Sequence, residues 1–209
     1  DENGDPKYPG IVNAYVYTVN QGVKQVHKGV ELEVNYKPLR ELTLTGFGSL
    51  GDWKYKGQAR TTEYDENQNV IGTPSTPQNW DGLKVGDAAH TQFGLGLAYE
   101  FIKGISVDAD YRYNGDLYSS RVSEKEGNLE LPSYNVMDAG ITWNYKLTNR
   151  NKLTLRFNVN NVFNHIYISE ASTNIQQADG VDNYKGVNVN NQVYFGYGRT
   201  WNASVKITL

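Results

Sequence analysis

Cysteine is missing from all 209 residues, and methionine occurs once. Without cysteine there is no disulfide framework and no thiolate metal site. Long apolar runs are missing as well: no stretch approaches the roughly 18 consecutive apolar residues of a membrane-spanning helix. An excess of one charge is also lacking. The 20 basic and 23 acidic residues leave a net −3, too balanced to point to nucleic acid. The mean hydropathy of −0.62 does not argue for a water-soluble protein. A membrane β-barrel alternates lipid-facing and lumen-facing residues, so its average looks like that of a soluble chain.

Catalytic and metal motifs are equally scarce. His27, His90 and His165 are far apart and have no metal-ligand spacing. Asp1, Asn3 and Asp5 echo a calcium loop but lack its glycine and its closing glutamate. There is no nucleophile elbow, phosphate loop or triad order. The expectation is a chain that is not an enzyme and holds no cofactor or metal.

What is abundant is tyrosine, tryptophan and glycine, at 16, 4 and 21 residues. Tyr and Trp suit strands and also membrane interfaces, where one end of the ring is wet. Period-2 alternation is the dominant pattern. Val30, Leu32, Val34 and Tyr36 oppose Glu31, Glu33 and Asn35. Leu42, Leu44 and Leu50 oppose Thr43, Thr45, Phe47, Ser49 and Trp53. Phe93, Leu95, Leu97, Tyr99 and Phe101 oppose Gln92, Gly94, Gly96, Ala98 and Glu100. Ile105, Val107, Ala109, Tyr111 and Tyr113 oppose Ser106, Asp108, Asp110 and Arg112. Met137 to Tyr145 and Leu153 to Val159 repeat the pattern. Tyr194 to Leu209 carries it to the last residue and reads as one long strand.

The connections alternate in length. They are short at Lys37–Arg40, at Lys103-Gly104 and from Leu147 to Asn151. They are long from Lys56 to Ala89 and from Asn161 to Asn191, and medium from Gly115 to Ser133. About seven antiparallel strands with short turns at one end and long loops at the other are the pattern of an outer-membrane barrel. The expected fold class is therefore all-β, an antiparallel transmembrane β-barrel segment. Short turns would be periplasmic and long loops extracellular. A soluble carbohydrate-binding β-sandwich and a small self-contained outer-membrane barrel are the rival readings. About seven strands cannot close around so many inward charges, and an open edge is not tolerated in lipid. The chain is expected to be part of a larger barrel. Asp1 to Gly10 reads as the middle of a loop.

Two sets of candidate residues follow. Trp53, Tyr55, Trp80, Tyr118 and Tyr167 lie at strand tops or in long loops, where rings could stack on a ligand, anchor the membrane interface or pack the loops. Glu31, Glu33, Asp108, Asp110, Arg112, Arg156 and Lys206 fall on the polar faces and would line the lumen.

Several segments resemble one family. His27 to Tyr55 looks like the Gly-Val-Glu hairpin of TonB-dependent outer-membrane receptors. Leu155 to Ser169 is similar to their Asn-rich strand, with Asn161, Phe163, Asn164 and Tyr167 at matching places. Gly198, Arg199 and Thr200 match their closing strand, which departs from the family in ending on Leu209 rather than an aromatic residue. The Asn- and Tyr-rich texture is similar to Bacteroidetes members. The resemblance implies that residues 1–209 are the C-terminal part of a barrel of about 22 strands. The plug domain and N-terminal strands would lie outside this chain. It further implies nutrient uptake (a siderophore, cobalamin or a glycan) across the outer membrane. The implied partners are outer-membrane lipid, the rest of the barrel and plug, the TonB-ExbB-ExbD complex acting through the plug, and a surface lipoprotein. No nucleic-acid partner is implied.

Overall fold

The computed structural model describes residues 15–148 and 151–209, so the Asp1, Asn3, Asp5 echo lies outside the described residues. It is all-β. The strands are β1 (Tyr17–Tyr36), β2 (Leu42–Tyr64), β3 (Val70–Ile71), β4 (Gln78–Asn79), β5 (Thr91–Ile102), β6 (Ile105–Gly115), β7 (Leu117–Ser123) and β8 (Gly127–Leu131). They continue with β9 (Tyr134–Lys146), β10 (Lys152–Asn160), β11 (Ile168–Ala171), β12 (Asn183–Tyr184), β13 (Val187–Asn188), β14 (Val193–Phe195) and β15 (Thr200–Thr208). The main sheet runs β1-β2-β5-β6-β9-β10-β15, and every pairing in it is antiparallel. These are the seven strands expected from the alternation.

The registers carry the parity from strand to strand. Leu32 opposes Gly48, which opposes Phe93; Phe93 opposes Tyr113. Val107 opposes Ile141, Ile141 opposes Phe157, and Phe157 opposes Ala203. Residues directly opposite share a face, so one apolar surface runs across the whole sheet. That surface is bare: Val30 is 73% exposed, Leu95 65% and Val205 70%. Among the described residues no second sheet covers it, so a sandwich is not what these strands build. The path keeps two unpaired edges, β1 and β15, and the barrel is not closed among the described residues.

Three expectations need correction. The strand beginning at Leu42 does not stop at Tyr55 but continues for 23 residues to Tyr64, paired with the 20-residue β1. Glycine makes this extension possible. Gly22 and Gly57 adopt left-handed φ values of 85° and 111° at a bulge that shifts the register between Gln21 and Val23. The bulge resets the alternation, which is why the upper half reads as irregular in sequence. The long loops, second, are not structureless: β3 and β4 edge the top of β2, and β7–β8, β12–β13 and β11–β14 form small sheets.

Third, the closing strand is not continuous. Gly196 to Arg199 breaks it, leaving β14 to pair with β11 and β15 with β10. Asn161, at φ 50°, holds the break open. Its side-chain amide donates to the carbonyls of His165 and Tyr197, at 2.9 and 3.1 Å. The Asn164 side-chain oxygen takes the Arg199 N–H at 2.8 Å. Parity persisted through the break because a four-residue interruption preserves even and odd positions.

Burial is concentrated away from the wall. Ala89, Leu117, Leu129, Leu131, Ile168, Ala171 and Val187 form one buried cluster, and Ala59, Trp80 and Val122 another. All lie above the apolar band, Ala59 on the upper part of β2 and the others in the long connections. The loops are also stitched by polar groups. The Asn128 side chain accepts from the Lys84 N–H at 2.7 Å and donates back to its carbonyl at 2.8 Å. Asn174 donates to the Gly127 carbonyl at 2.7 Å, and Ser120 to the Ala171 carbonyl at 3.3 Å. The three long loops therefore form one cap.

Candidate functional site

The inner face of the sheet and the mouth beneath the cap hold the polar and aromatic candidates. Every lumen candidate lies on that inner face. Arg156 on β10 reaches over Gly140 of β9 and grips Asp108 of β6 with two bonds of 2.8 Å. Its other contact is the Thr142 hydroxyl, at 2.9 Å. Glycine is required at the crossing point. A Cβ on Gly140 would meet Arg156, Asp108 and Asn158 at 3.0 Å or less. One step higher, Arg112 pairs with Asp138, whose second oxygen accepts the Asn161 N–H at 2.8 Å. Asp138 was not among the sequence candidates. Its place on the polar face of the Met137–Tyr145 alternation was the available signal.

Glu33, Thr45, Phe47, Asp110, Arg112 and Asp138 surround a recess of about 420 Å³ on this face. Gly94 and Gly96 keep it open: a Cβ on Gly94 would meet the Phe47 ring, and one on Gly96 the Thr45 hydroxyl and the Asp110 carboxylate. A second recess of about 380 Å³ lies above, bordered by Glu31, Glu33, Phe47, Ser49, Trp53 and Gln92. Among the described residues, Glu31, Glu33 and Asp110 enter no ion pair. Lys206 lies on the same face of the sheet, opposite Thr154 near the lower end of β15.

The aromatic candidates do not form one group. Trp53 stands at the centre of a ring column at the mouth. His27 stacks on it at 5.1 Å and 22°, and His90 lies 4.9 Å away. Tyr118 meets His90 edge-on at 5.3 Å, with the Lys84 ammonium 5.9 Å from the Tyr118 ring centre. Tyr55 and Trp80 form a separate edge-to-face pair at 5.2 Å. Trp80 is 8% exposed and packs with Ala59 and Val122, so it is a cap core residue. Tyr167 stacks on Tyr134 at 4.0 Å and lies directly over Gly196. Of the five rings, only Trp53 and Tyr118 belong to the same mouth column.

His27 and His90 were not singled out by spacing, since they are joined only by tertiary structure. His27 sits directly opposite Trp53 in the β1–β2 register, and His90 leads into β5. The His90 ring is buried; its Nε2–H donates to the Val85 carbonyl at 2.8 Å, while Nδ1 has no partner. His165 instead donates through Nδ1 to the Asn135 carbonyl at 3.1 Å. Among the described residues no three His, Asp or Glu are gathered to hold a metal.

Electrostatics around the mouth are uneven. Asp52, hydrogen-bonded to Lys54 at 2.8 Å and Lys84 at 2.7 Å, is pulled down to about 2. Asp65 is also lowered, by its bonds from the Asn69 side chain and backbone and from the Asn67 N–H. Asp87 is raised by burial and by the charge of Glu170. Burial likewise raises the Tyr118 hydroxyl, with Glu130 and Asp116 adding to it.

This arrangement can bind and guide polar solutes. It offers an acid-rich wall and rings at the mouth. The family model for the β-barrel of TonB dependent receptor-like proteins matches residues 3–162. None of the curated proteins matches the chain.

Proposed function

Because the chain belongs to the TonB-dependent receptor-like β-barrel family, we propose that residues 1–209 form the C-terminal part of an outer-membrane barrel for energised nutrient uptake. Receptors of this family are outer-membrane transport proteins, not enzymes. In this reading about 22 strands close the barrel, with the plug and N-terminal strands supplied by the rest of the receptor. The TonB-ExbB-ExbD complex acts through that plug, and a surface lipoprotein covers the mouth. The Asn- and Tyr-rich texture supports a Bacteroidetes-like member.

The observation that carries the reading is the bare apolar face running continuously over seven strands, backed by a wet inner face. Such a face needs lipid, because water would leave a large exposed apolar patch. The cap then faces the cell exterior, and the His27–Trp53 stack receives the nutrient first. Glu31, Glu33 and Asp110 line the lumen below, where they meet the plug or the passing solute. Rings above an acid-bordered recess suit a polar solute with flat apolar faces, such as a glycan.

The test is fractionation and uptake of the whole receptor. It should partition with the outer membrane and migrate faster on gels before heating than after. Uptake of its nutrient should stop when the proton gradient or TonB is removed. A stable, detergent-free soluble monomer would overturn the reading.

A further inference from the structure

The inner face of the sheet changes sign toward its lower end. Glu31, Glu33 and Asp110 give its upper and middle levels an acid character. Below Arg156 the charges are lysines. Lys146 on β9 opposes Lys152 on β10. Two residues up β10, Thr154 opposes Lys206 on β15. Two further up, Arg156 opposes Thr142 and Ser204. Opposed residues share a face, and alternate residues along a strand return to it. The three lysines therefore lie on the Arg156 face, not on the apolar face of Tyr145, Leu153 and Val205.

A recess of about 690 Å³ lies beside them, bordered by Glu100, Lys103, Asn144, Lys146 and Lys152. All four lysines are exposed, and none enters an ion pair among the described residues. The polar groups around them are engaged elsewhere. Glu100 accepts the Gly104 N–H at 2.6 Å, and the Thr154 hydroxyl donates to the Asn144 side-chain oxygen at 2.9 Å. Asp108, higher on β6, is held by Arg156. Lys146 and Lys152 place like charges directly across a ladder, an arrangement that destabilises a sheet. An anionic partner removes that penalty.

Spacing and position identify the partner. Directly opposed side chains such as Lys146 and Lys152 start about 5 Å apart, and the diagonal from Lys152 to Lys206 is about 7–8 Å. Alternate side chains of an extended peptide lie about 6.8 Å apart on one face. Carboxylates at alternate positions therefore meet these lysines one by one. A lone phosphate would have to draw the ammonium groups together over one point. The face is turned away from the lipid-contacting residues, so a bilayer headgroup does not reach it. The lysines also stand beside the Lys103-Gly104 turn and at the β9 and β10 ends, where a chain from the periplasm reaches them without entering the barrel.

We propose that this basic recess docks an extended acidic segment of a periplasmic protein, with carboxylates at alternate positions. The proposal rests on the membrane reading above, which makes the short-turn end periplasmic.

The test is fluorescence anisotropy of a short dye-labelled peptide, glutamate at every second position and serine between, added to the whole receptor in neutral detergent. The peptide should bind. An isomer of the same composition with its glutamates in one run should bind severalfold more weakly. Replacing Lys146→Gln, Lys152→Gln and Lys206→Gln together should weaken binding about tenfold or more, each lysine contributing up to about fivefold. The same three positions changed to arginine should keep it. Lys24→Gln with Lys56→Gln, a facing pair at the far end of the first hairpin, should leave it unchanged. Circular dichroism should show the same strand content throughout.

No binding by the unaltered receptor, or binding that survives the triple glutamine change, overturns the proposal. So does equal binding of the two isomers. Displacement of the peptide by millimolar inorganic phosphate at constant ionic strength overturns it too, since that marks a simple anion site. Failure of the membrane reading looks different: the receptor would then stay monomeric with no detergent present.

Discussion

The wall and the cap are made from one chain but stabilised in different ways. In the wall, large apolar side chains point outward and stay bare: Leu95 and Leu50 are each 65% exposed. Cohesion there comes from backbone ladders, since each wall strand is paired along its length. In the cap, Ile168 is 2% exposed, Ala171 1% and Leu129 3%. Asn174, Asn188 and Asn191 are also buried there. Asn191 illustrates their role: it accepts from the Thr173 hydroxyl and the Ile175 N–H, each at 2.9 Å, and donates to two carbonyls. The cap is packed like a small water-soluble protein, with asparagine side chains satisfying backbone groups that the short strands leave over. The solvent of each region decides which side of a strand is its core.

This contrast can be broken most strongly from the cap. Ile168→Ala should cost about 2–5 kcal/mol of local cap stability. Hydrogen exchange should rise through 117–131 and 168–193 while the wall amides stay protected. The truncation Leu95→Ala, made in a lipid-facing wall position, should leave both regions close to unchanged. Next in size is a charge on the wall. Leu95→Arg should cost about 2–4 kcal/mol if the outer face meets the bilayer midplane, read as a lowered midpoint for denaturation from vesicles. An unchanged midpoint would mean that Leu95 faces water.

A smaller effect comes from the inner face. Asp108→Asn leaves Arg156 without its carboxylate. Both side chains are partly solvated, so the loss should be about 1 kcal/mol or less. Gly140→Ala should give a similar loss by prising the same pair apart, and the two changes together should cost less than their sum. Full additivity would mean that Gly140 does not serve the ion pair.

The smallest effect is pH-dependent and confined to the base of the cap. The Asp52 carboxylate titrates at about 2 in the folded chain, against its ordinary 3.8. A lowered value means that its contribution is complete above about 4 and fades as pH falls toward 2. Asp87 acts in the opposite sense: its raised value favours the protonated form in the fold, so its stabilising contribution fades as pH rises through that value. Trp53 fluorescence, next to Asp52 in the chain, should stay flat on acidification until about pH 4 and then change. In Asp52→Asn that change should be missing.

The alternation legible in Val30–Tyr36, Phe93–Phe101 and Ile105–Tyr113 determined the all-β class, the wet and greasy faces and the short turns at one end. Period 2 is a property of the strand backbone itself, so it survives in sequence wherever a strand has two different solvents. The resemblance at His27–Tyr55, Leu155–Ser169 and Gly198–Thr200 named the family, and the family match over residues 3–162 covers the first of these in full. Where the alternation breaks, the reading broke with it. The bulge at Gly22 and Gly57 hid the upper half of the first hairpin, and the Asn161 brace hid the gap in the last strand. The cap was illegible because its buried residues come from three separate loops, each with too few apolar positions to show a period. Only the tertiary structure put His27 and His90 on either side of Trp53, Gly140 beneath Arg156, and Lys24 opposite Lys56. Those are relations across strands. They depend on register, which one chain segment cannot carry alone.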